Sequence, residues 1–212
     1  MGSNVSSEQH QELLRAPVTE PATPVAGVNV RFLNPTTVNL HLKEKSWDDF
    51  TIRDVQTDEL YFRIDAAMLS MSQRKALLDA NHLPVAQLKR DPTSFITHHF
   101  EIFEDEACKR LLFLMQSEFS MFKSELSLNF RNRATGKRCQ MGVQGDWRAH
   151  HAVLWVDVGD GNKTVVARVR RPTDTFRNLV LNHQDYYIQI APNVDLALIV
   201  LVCVAIDESF KD

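Results

Sequence analysis

Hydrophobic and polar residues alternate along most of this chain. From Val28 onward, apolar side chains recur at every second position, as in Val38–Leu42, Leu60–Ile64 and Leu126–Phe130. This period is typical of half-buried antiparallel strands, whose successive side chains point to opposite faces. Polar turns such as Gln56–Glu59 separate the runs. The pattern predicts a mainly β fold with about twelve short strands.

The run Val194–Ile206 differs, because it is apolar throughout except at Asp195. Thirteen helical residues extend about 20 Å, whereas the hydrocarbon core of a bilayer is about 30 Å thick. A helix apolar on all sides must be surrounded by protein or lipid. The length favours a buried core helix over residues 194–206, with Asn193 as N-cap and Asp195 in its first turn. A membrane segment and a strand remain the alternatives.

The predicted strands and helix together indicate a closed architecture. An eight-stranded barrel is already filled by its own side chains. A helix is about 10–12 Å across, so enclosing one requires a larger barrel. We therefore expect a closed antiparallel β-barrel of about twelve strands around the C-terminal hydrophobic helix.

Composition is ordinary for a globular protein. The chain has 212 residues, 44% hydrophobic and 24% charged, with a formal net charge of −3. This size fits one domain with a tail. Cys108, Cys139 and Cys203 are odd in number and lack metal-site spacing, which is typical of reduced intracellular thiols. The N-terminus lacks the apolar segment of a secretory signal.

Residues 1–27 lack hydrophobic periodicity and contain Pro17, Pro21 and Pro24. We interpret them as a flexible N-terminal tail that precedes a barrel domain at residues 28–212. The start, MGSNVSS, matches a myristoylation pattern, in which Gly2 becomes the acceptor and Ser6 is the required hydroxyl residue. A chance match to this short pattern is the alternative.

Several stretches resemble one known family. They are Asp48–Asp65, Arg74–Arg90, Val143–Trp147, Val165–Arg171 and the C-terminal DYYIQIAPNVDLALIVLVCVAIDE. In this order they resemble the LURP-one-related family, which shares the tubby C-terminal-like fold with tubby proteins and phospholipid scramblases. The resemblance implies a twelve-stranded barrel wound around a central hydrophobic helix.

The resemblance leaves function open. Tubby proteins bind phosphoinositides through basic residues, scramblases are linked to membranes and calcium, and plant LURP-one-related proteins are linked to defence. Tubby's lipid-binding residues do not match this chain position by position, so none is transferred.

Basic residues are concentrated in the second half of the barrel. Between Lys123 and Arg177 there are eleven basic and five acidic residues, a net charge of +6, and the rest of the chain carries −9. On the strand Val165–Arg170, Arg168 and Arg170 should point outward on one face. These two, with Arg171, Lys89 and Arg90, are the candidate residues for binding a phosphoinositide or an anionic membrane. A solvated barrel exterior explains the same residues without a ligand.

Other chemistry has weaker support. No nucleophile–base pattern, dinucleotide fingerprint or phosphate loop is present, so we expect no enzyme and no cofactor. The pairs His98-His99 and His150-His151 lack further ligands, so no metal site is expected. The acidic loop Glu104–Glu106 lacks the ligand spacing of an EF-hand. Tryptophans do not interleave with the basic runs, so nucleic acid is not an expected partner.

We therefore expect a monomeric, non-enzymatic, cytoplasmic binding or signalling module, peripheral at the plasma membrane, that binds anionic lipid or docks a protein partner. One alternative is a scramblase-like membrane protein anchored by its C-terminal helix. Another is a pure protein-interaction module in defence or stress signalling.

Deletion of Val194–Ile206 tests the assignment of the helix. Because the helix would fill the barrel, its loss should unfold the domain rather than release it from a membrane. Circular dichroism of the purified deletion variant should show no cooperative thermal transition. A soluble, folded variant would contradict the assignment.

Overall fold

The computed structural model describes residues 11–46, 49–65, 74–91, 97–120, 123–146, 151–170 and 185–209. Within these ranges the chain forms twelve strands and a C-terminal helix, which we name the central helix. The strands are β1 (Val38–Ser46), β2 (Asp49–Asp54), β3 (Leu60–Asp65), β4 (Arg74–Asp79), β5 (Pro84–Arg90), β6 (Thr97–Phe103), β7 (Leu111–Ser120), β8 (Lys123–Arg131), β9 (Arg138–Asp146), β10 (His151–Asp157), β11 (Thr164–Arg170) and β12 (Asp185–Ile190), and the central helix is Leu196–Ser209.

Each strand pairs antiparallel with its neighbour in sequence, and β1 pairs with β12 to close the barrel. The closing register places Val38 opposite Ile190 and Leu40 opposite Ile188. All four of these side chains are buried. Closure leaves no unpaired sheet edge. The prediction of a mainly β, closed antiparallel barrel of about twelve strands with a C-terminal helix is confirmed.

The central helix is enclosed on every side. All its residues from Leu196 to Asp207 are buried, and its apolar side chains join those of the strands in one hydrophobic core. The inward side chains include Phe50, Phe62, Phe100 and Met115. A helix without a polar face can be covered in this way only if strands surround it.

Asp195, and not Asn193, caps the helix, which begins at Leu196 rather than at residue 194. The carboxylate oxygen Oδ1 of Asp195 accepts from the backbone N–H groups of Ala197 (2.9 Å) and Leu198 (3.2 Å). This satisfies two of the donors that a helix N-terminus leaves unpaired. Asn193 adopts a left-handed conformation (φ 58°) in the preceding turn. The predicted N-cap was therefore wrong by two residues.

The helix also continues past the predicted end at Ile206, to Ser209. Asp207 accepts a hydrogen bond from the hydroxyl of Tyr186 on β12. The Nζ of Lys75 on β4 lies 2.6 Å from Oε1 of Glu208, in a largely buried ion pair. Acidic residues are unfavourable at a helix C-terminus. Here partners from the surrounding strands satisfy them, which allows the extra turn.

None of the helices formed by the described residues has the length and apolarity needed to cross a bilayer. The side chains of the central helix contact the inner faces of the strands. They leave no apolar helix surface exposed to lipid. This burial supports the interpretation of the helix as the core of the barrel.

The described part of the N-terminal segment, residues 11–27, packs against the barrel. Residues 11–15 form a helical turn. Further on, the backbone N–H of Val25 donates to the carbonyl of Asn193, and the N–H of Asp195 donates to the carbonyl of Val25, each at 2.9 Å. Val25 and Ala26 are fully buried. These contacts differ from the flexible tail that the composition predicted, because apolar burial and backbone hydrogen bonds offset the cost of ordering the chain.

Asp195 also joins this segment to the helix. Its second oxygen, Oδ2, accepts from the backbone N–H groups of Val28 (2.8 Å) and Asn29 (3.0 Å). One buried carboxylate therefore binds four N–H groups from two parts of the chain. Burial raises the pKa of Asp195 to about 6, although these four N–H groups favour the charged form.

The substitution Asp195→Asn tests this role. The pKa of Asp195 is higher in the folded protein (about 6) than the ordinary pKa of an aspartate (3.8), so protonation stabilises the fold. The contribution is complete below about pH 4 and is lost as the pH rises through about 6. A difference of about two pKa units corresponds to about 3 kcal/mol. We expect the unfolding free energy of the wild type minus that of the variant to fall by about this amount between pH 4 and 7, as measured by urea denaturation.

Asp54→Asn is the matched control. Asp54 also accepts backbone N–H groups, from Gln56 and Thr57, but in an open turn, and the hydrogen bond from Thr57 lowers its pKa. Its contribution is therefore present above about pH 4 and is lost as the pH falls. The two variants should show opposite slopes, and a flat or equal slope for Asp195→Asn would contradict the role given to burial.

Candidate functional site

The predicted arginines of β11 lie on the outer surface of the barrel. Ala167 and Val169 are buried, whereas Arg168 is half-buried and Arg170 is exposed. This alternation follows from the two-residue period of a strand. Arg168 and Arg170 thus occupy the same outward face, as the sequence pattern predicted.

Residues of two further strands complete this surface. Arg168 lies opposite Gln189 and Arg170 opposite Tyr187 on β12. Asn39 on β1 is in turn opposite Gln189. These five residues line a surface cavity of about 250 Å³. We call them the basic face.

Tyr187 is held in place by a neighbouring histidine. The rings of Tyr187 and His41 stack with centroids 4.6 Å apart and an interplanar angle of 2°. The Nε2 of His41 lies 3.4 Å from Oδ2 of Asp185. The basic face therefore offers a fixed aromatic surface beside Arg170. Sequence reasoning missed Tyr187 and His41, because their contact depends on the pairing of the first strand with the last.

The side chain of Arg168 forms hydrogen bonds with the N-terminal segment. Its Nη1 donates to the carbonyl oxygen of Leu14 at 3.0 Å, and its Nη2 donates to that of Ala16 at 2.6 Å. Nearby, the backbone N–H of Thr19 donates to the carbonyl of Val165 at 2.8 Å. Burial, and secondarily the charge of Arg170, lower the pKa of Arg168. Arg168 thus anchors residues 14–16 against β11 rather than standing free in solvent.

Arg170 has a different environment. Its side chain forms no hydrogen bond or ion pair within the part of the chain that the structure describes. Its guanidinium group is exposed at the end of β11, beside Tyr187. Of the two outward arginines, Arg170 is the one available to an anion.

Two other predicted residues, Lys89 and Arg90, lie far from the basic face. They end β5, which is six strands from β11 in either direction around the barrel. Lys89 is paired with Glu101 of β6, with Nζ and Oε2 separated by 3.1 Å. The structure therefore does not bring the predicted basic residues into one site. Arg171 and Gly2 lie outside the described residues.

The acidic loop is neutralised by arginines. Glu104 accepts a hydrogen bond from Arg133 at 2.9 Å, which lowers its pKa. Asp105 accepts from the backbone N–H groups of Lys109 and Arg110. These carboxylates therefore stabilise the turn between β6 and β7 and the segment around Val28, whose carbonyl also accepts from Arg133.

Comparison with known proteins identifies the family of this barrel. The model of the LURP-one-related family matches residues 38–207, which run from the start of β1 into the central helix. The chain belongs to the LURP-one-related family. The family resemblance given by the sequence motifs is thereby confirmed.

Individual relatives agree with this assignment. The chain is 24% identical over 196 residues to the protein LURP-one-related 15 of Arabidopsis thaliana, covering 88% of each chain. It is 23% identical over 192 residues to LURP-one-related 10 of the same plant, covering 87% of this chain and 96% of the relative. A crystal structure of an Arabidopsis thaliana protein superimposes with a TM-score of 0.62 at 21% identity, over 88% of this chain and 99% of the other. The last comparison supports the fold alone.

The two β11 arginines generate a paired prediction. Arg168→Gln removes two charge-assisted hydrogen bonds to residues 14 and 16, so it should lower the unfolding free energy by about 1–3 kcal/mol. It should also speed hydrogen exchange at the N–H of Thr19. Arg170→Gln, on the same face, should change stability by no more than about 0.5 kcal/mol. Equal effects in thermal denaturation and hydrogen exchange would contradict the anchoring role of Arg168.

Proposed function

We propose that this LURP-one-related protein is a non-enzymatic signalling module that binds phosphoinositide headgroups or an anionic membrane surface through its basic face. The observation that carries the proposal is the environment of Arg170. This guanidinium is exposed, lacks an ion-pair partner among the described residues and borders the cavity lined by Tyr187 and Gln189. A guanidinium binds phosphate through two parallel hydrogen bonds, so the chemistry fits.

The surrounding residues support this use of Arg170. Tyr187 is 40% exposed and presents an aromatic ring with a polar tip, a residue type that is favoured at membrane interfaces. The carboxamides of Asn39 and Gln189 supply donors and acceptors for headgroup hydroxyls. Arg171 follows directly in the sequence and would add a second charge, worth about 1 kcal/mol near an anionic surface.

The N-terminal segment supports a tether at the same place. Arg168 fixes residues 14 and 16 beside the basic face. Gly2 is nine positions before the first described residue, Gln11, a reach of at most about 32 Å. A myristoyl group on Gly2 would therefore insert near the membrane that the basic face contacts. One such chain binds marginally alone, so the lipid and the arginines would act together.

Vesicle co-sedimentation tests the proposal. The wild type should bind phosphatidylcholine vesicles that contain phosphatidylinositol 4,5-bisphosphate more tightly than vesicles of phosphatidylcholine alone. The double variant Arg170→Glu/Arg171→Glu should weaken binding by at least about tenfold, because two attractive charges become repulsive. Arg168 is left unchanged to preserve the N-terminal segment.

Lys109→Glu is the matched control, since it makes the same kind of charge change at an exposed position in the turn before β7, four strands from β11. It should leave binding nearly unchanged. Binding that ignores phosphoinositide content, or that both variants weaken equally, would refute the proposal. In that case, the protein-interaction module remains as the alternative.

Metabolic labelling with a myristate analogue tests the tether separately. The wild type should incorporate the label, and Gly2→Ala should not, because the acyl group needs an N-terminal glycine. If the tether assists the basic face, the fraction of total protein bound to membranes should also be lower for Gly2→Ala than for the wild type. Equal labelling of both proteins would contradict acylation at Gly2.

A further inference from the structure

A second pair of arginines lies on the barrel exterior, away from the basic face. Arg131 ends β8, Arg138 begins β9, and the two residues are direct cross-strand partners. The next outward pair along the same strands is Asn129 and Gln140. Between these pairs, Phe130 and Cys139 point into the core. The outer surface of the β8–β9 hairpin therefore carries two guanidinium groups followed by two carboxamides.

These side chains line an open groove of about 670 Å³. Leu112 of β7 forms part of its wall on one side, and Asp157 of β10 lies on the other. The Oδ1 of Asp157 accepts the backbone N–H groups of Gly159, Asp160 and Gly161, so this oxygen is used by its own turn. The groove is large enough for a small organic ligand.

The two facing arginines, Arg131 and Arg138, carry charges of the same sign. Like charges directly opposite each other on neighbouring strands repel. Neither Arg131 nor Arg138 forms an ion pair within the described residues. Arg133, two residues beyond Arg131, is by contrast paired with Glu104 at 2.9 Å. Glu104, in the turn between β6 and β7, thus neutralises one arginine of the hairpin, and two opposed guanidinium groups still face the groove.

The turn between β8 and β9 fixes the orientation of the Arg131 side chain. Its Nε donates to the carbonyl oxygen of Gly136 at 3.1 Å. Gly136 has a positive φ of 73°, which a glycine adopts without strain, and its N–H donates to the carbonyl of Asn132 at 2.7 Å. The turn therefore orients the guanidinium through one nitrogen, and the two terminal nitrogens have no hydrogen-bond partner among the described residues, so they can bind an anion. Such preorganisation reduces the entropy lost on binding.

We infer that this groove is a binding site for a phosphate monoester that also carries hydroxyl groups. Arg131 and Arg138 bind the phosphate from both sides, and the negative charge of the phosphate offsets the repulsion between the two guanidinium groups. The carboxamides of Asn129 and Gln140 hydrogen-bond the hydroxyl groups. The β8–β9 hairpin lies two strands from β11 at its nearer strand, β9, and the groove shares no lining residue with the basic face.

The same chemistry occurs in soluble metabolites and in lipid headgroups, so two probes are required. The first is sn-glycerol 3-phosphate, titrated at constant ionic strength into the full-length ¹⁵N-labelled protein. The amide signals of Gly136 and Gly159, which line the groove, should shift with saturation. The second probe is a phosphatidylcholine vesicle containing lysophosphatidic acid, whose headgroup carries a phosphate monoester and a free glycerol hydroxyl.

Three substitutions test whether these residues bind the phosphate. Arg138→Gln should weaken binding by about tenfold, the loss expected for one charge-assisted interaction. Gln140→Glu, also at an exposed position, should weaken it by repelling the phosphate. Lys137→Gln removes one charge from the same hairpin at a position that does not line the groove. It should therefore leave binding unchanged and serves as the control for net charge.

Saturable glycerol phosphate binding with this variant pattern would support the site and identify a soluble ligand. Binding of the lysophosphatidic acid vesicle alone, with the same variant pattern, would support the site and identify a lipid headgroup. Binding of neither probe, or equal losses in Arg138→Gln and Lys137→Gln, would overturn the inference. Arg170→Glu should leave glycerol phosphate binding unchanged, so this inference and the proposed function can fail independently.

Discussion

Burial of the central helix is the constraint on which the rest of the structure depends. The helix is apolar on every side, so no arrangement that covers one face alone would remove it from water. Twelve antiparallel strands provide a wall around it, and closure between β1 and β12 leaves no edge through which solvent or another strand could reach the core. The inward residues of the strands and the residues of the helix consequently form one cluster, and neither part has a core without the other.

The ends of the helix create a second constraint, because buried backbone donors need acceptors. Asp195 satisfies four N–H groups and links the start of the helix to Val28 and Asn29. At the other end, Lys75 and Tyr186 bind the acidic residues Glu208 and Asp207. The buried charged residues Asp195, Asp207 and Lys75 are therefore explained by the two ends of the helix.

The arginines on the barrel exterior differ in whether the surrounding residues provide them with partners. Arg168 fixes the N-terminal segment, and Arg133 ties the β8–β9 turn to Glu104 and Val28. These two side chains have structural partners. Arg170, and the facing pair Arg131 and Arg138, lack ion-pair partners among the described residues and border cavities. The surface thus divides into arginines that hold the fold together and arginines available to anions.

Local sequence determined the strands, the helix and the closed class of fold. A period of two fixes which side chains face inward, and a run of thirteen residues that is apolar except at Asp195 favours a surrounded helix. The same period placed Arg168 and Arg170 on one outer face. Only the tertiary structure decided that Asp195 caps the helix, that Arg168 is occupied by Leu14 and Ala16, and that Lys89 lies on the opposite wall. These facts depend on contacts between residues far apart in the chain, and a local pattern of polarity carries no information about which distant groups will meet.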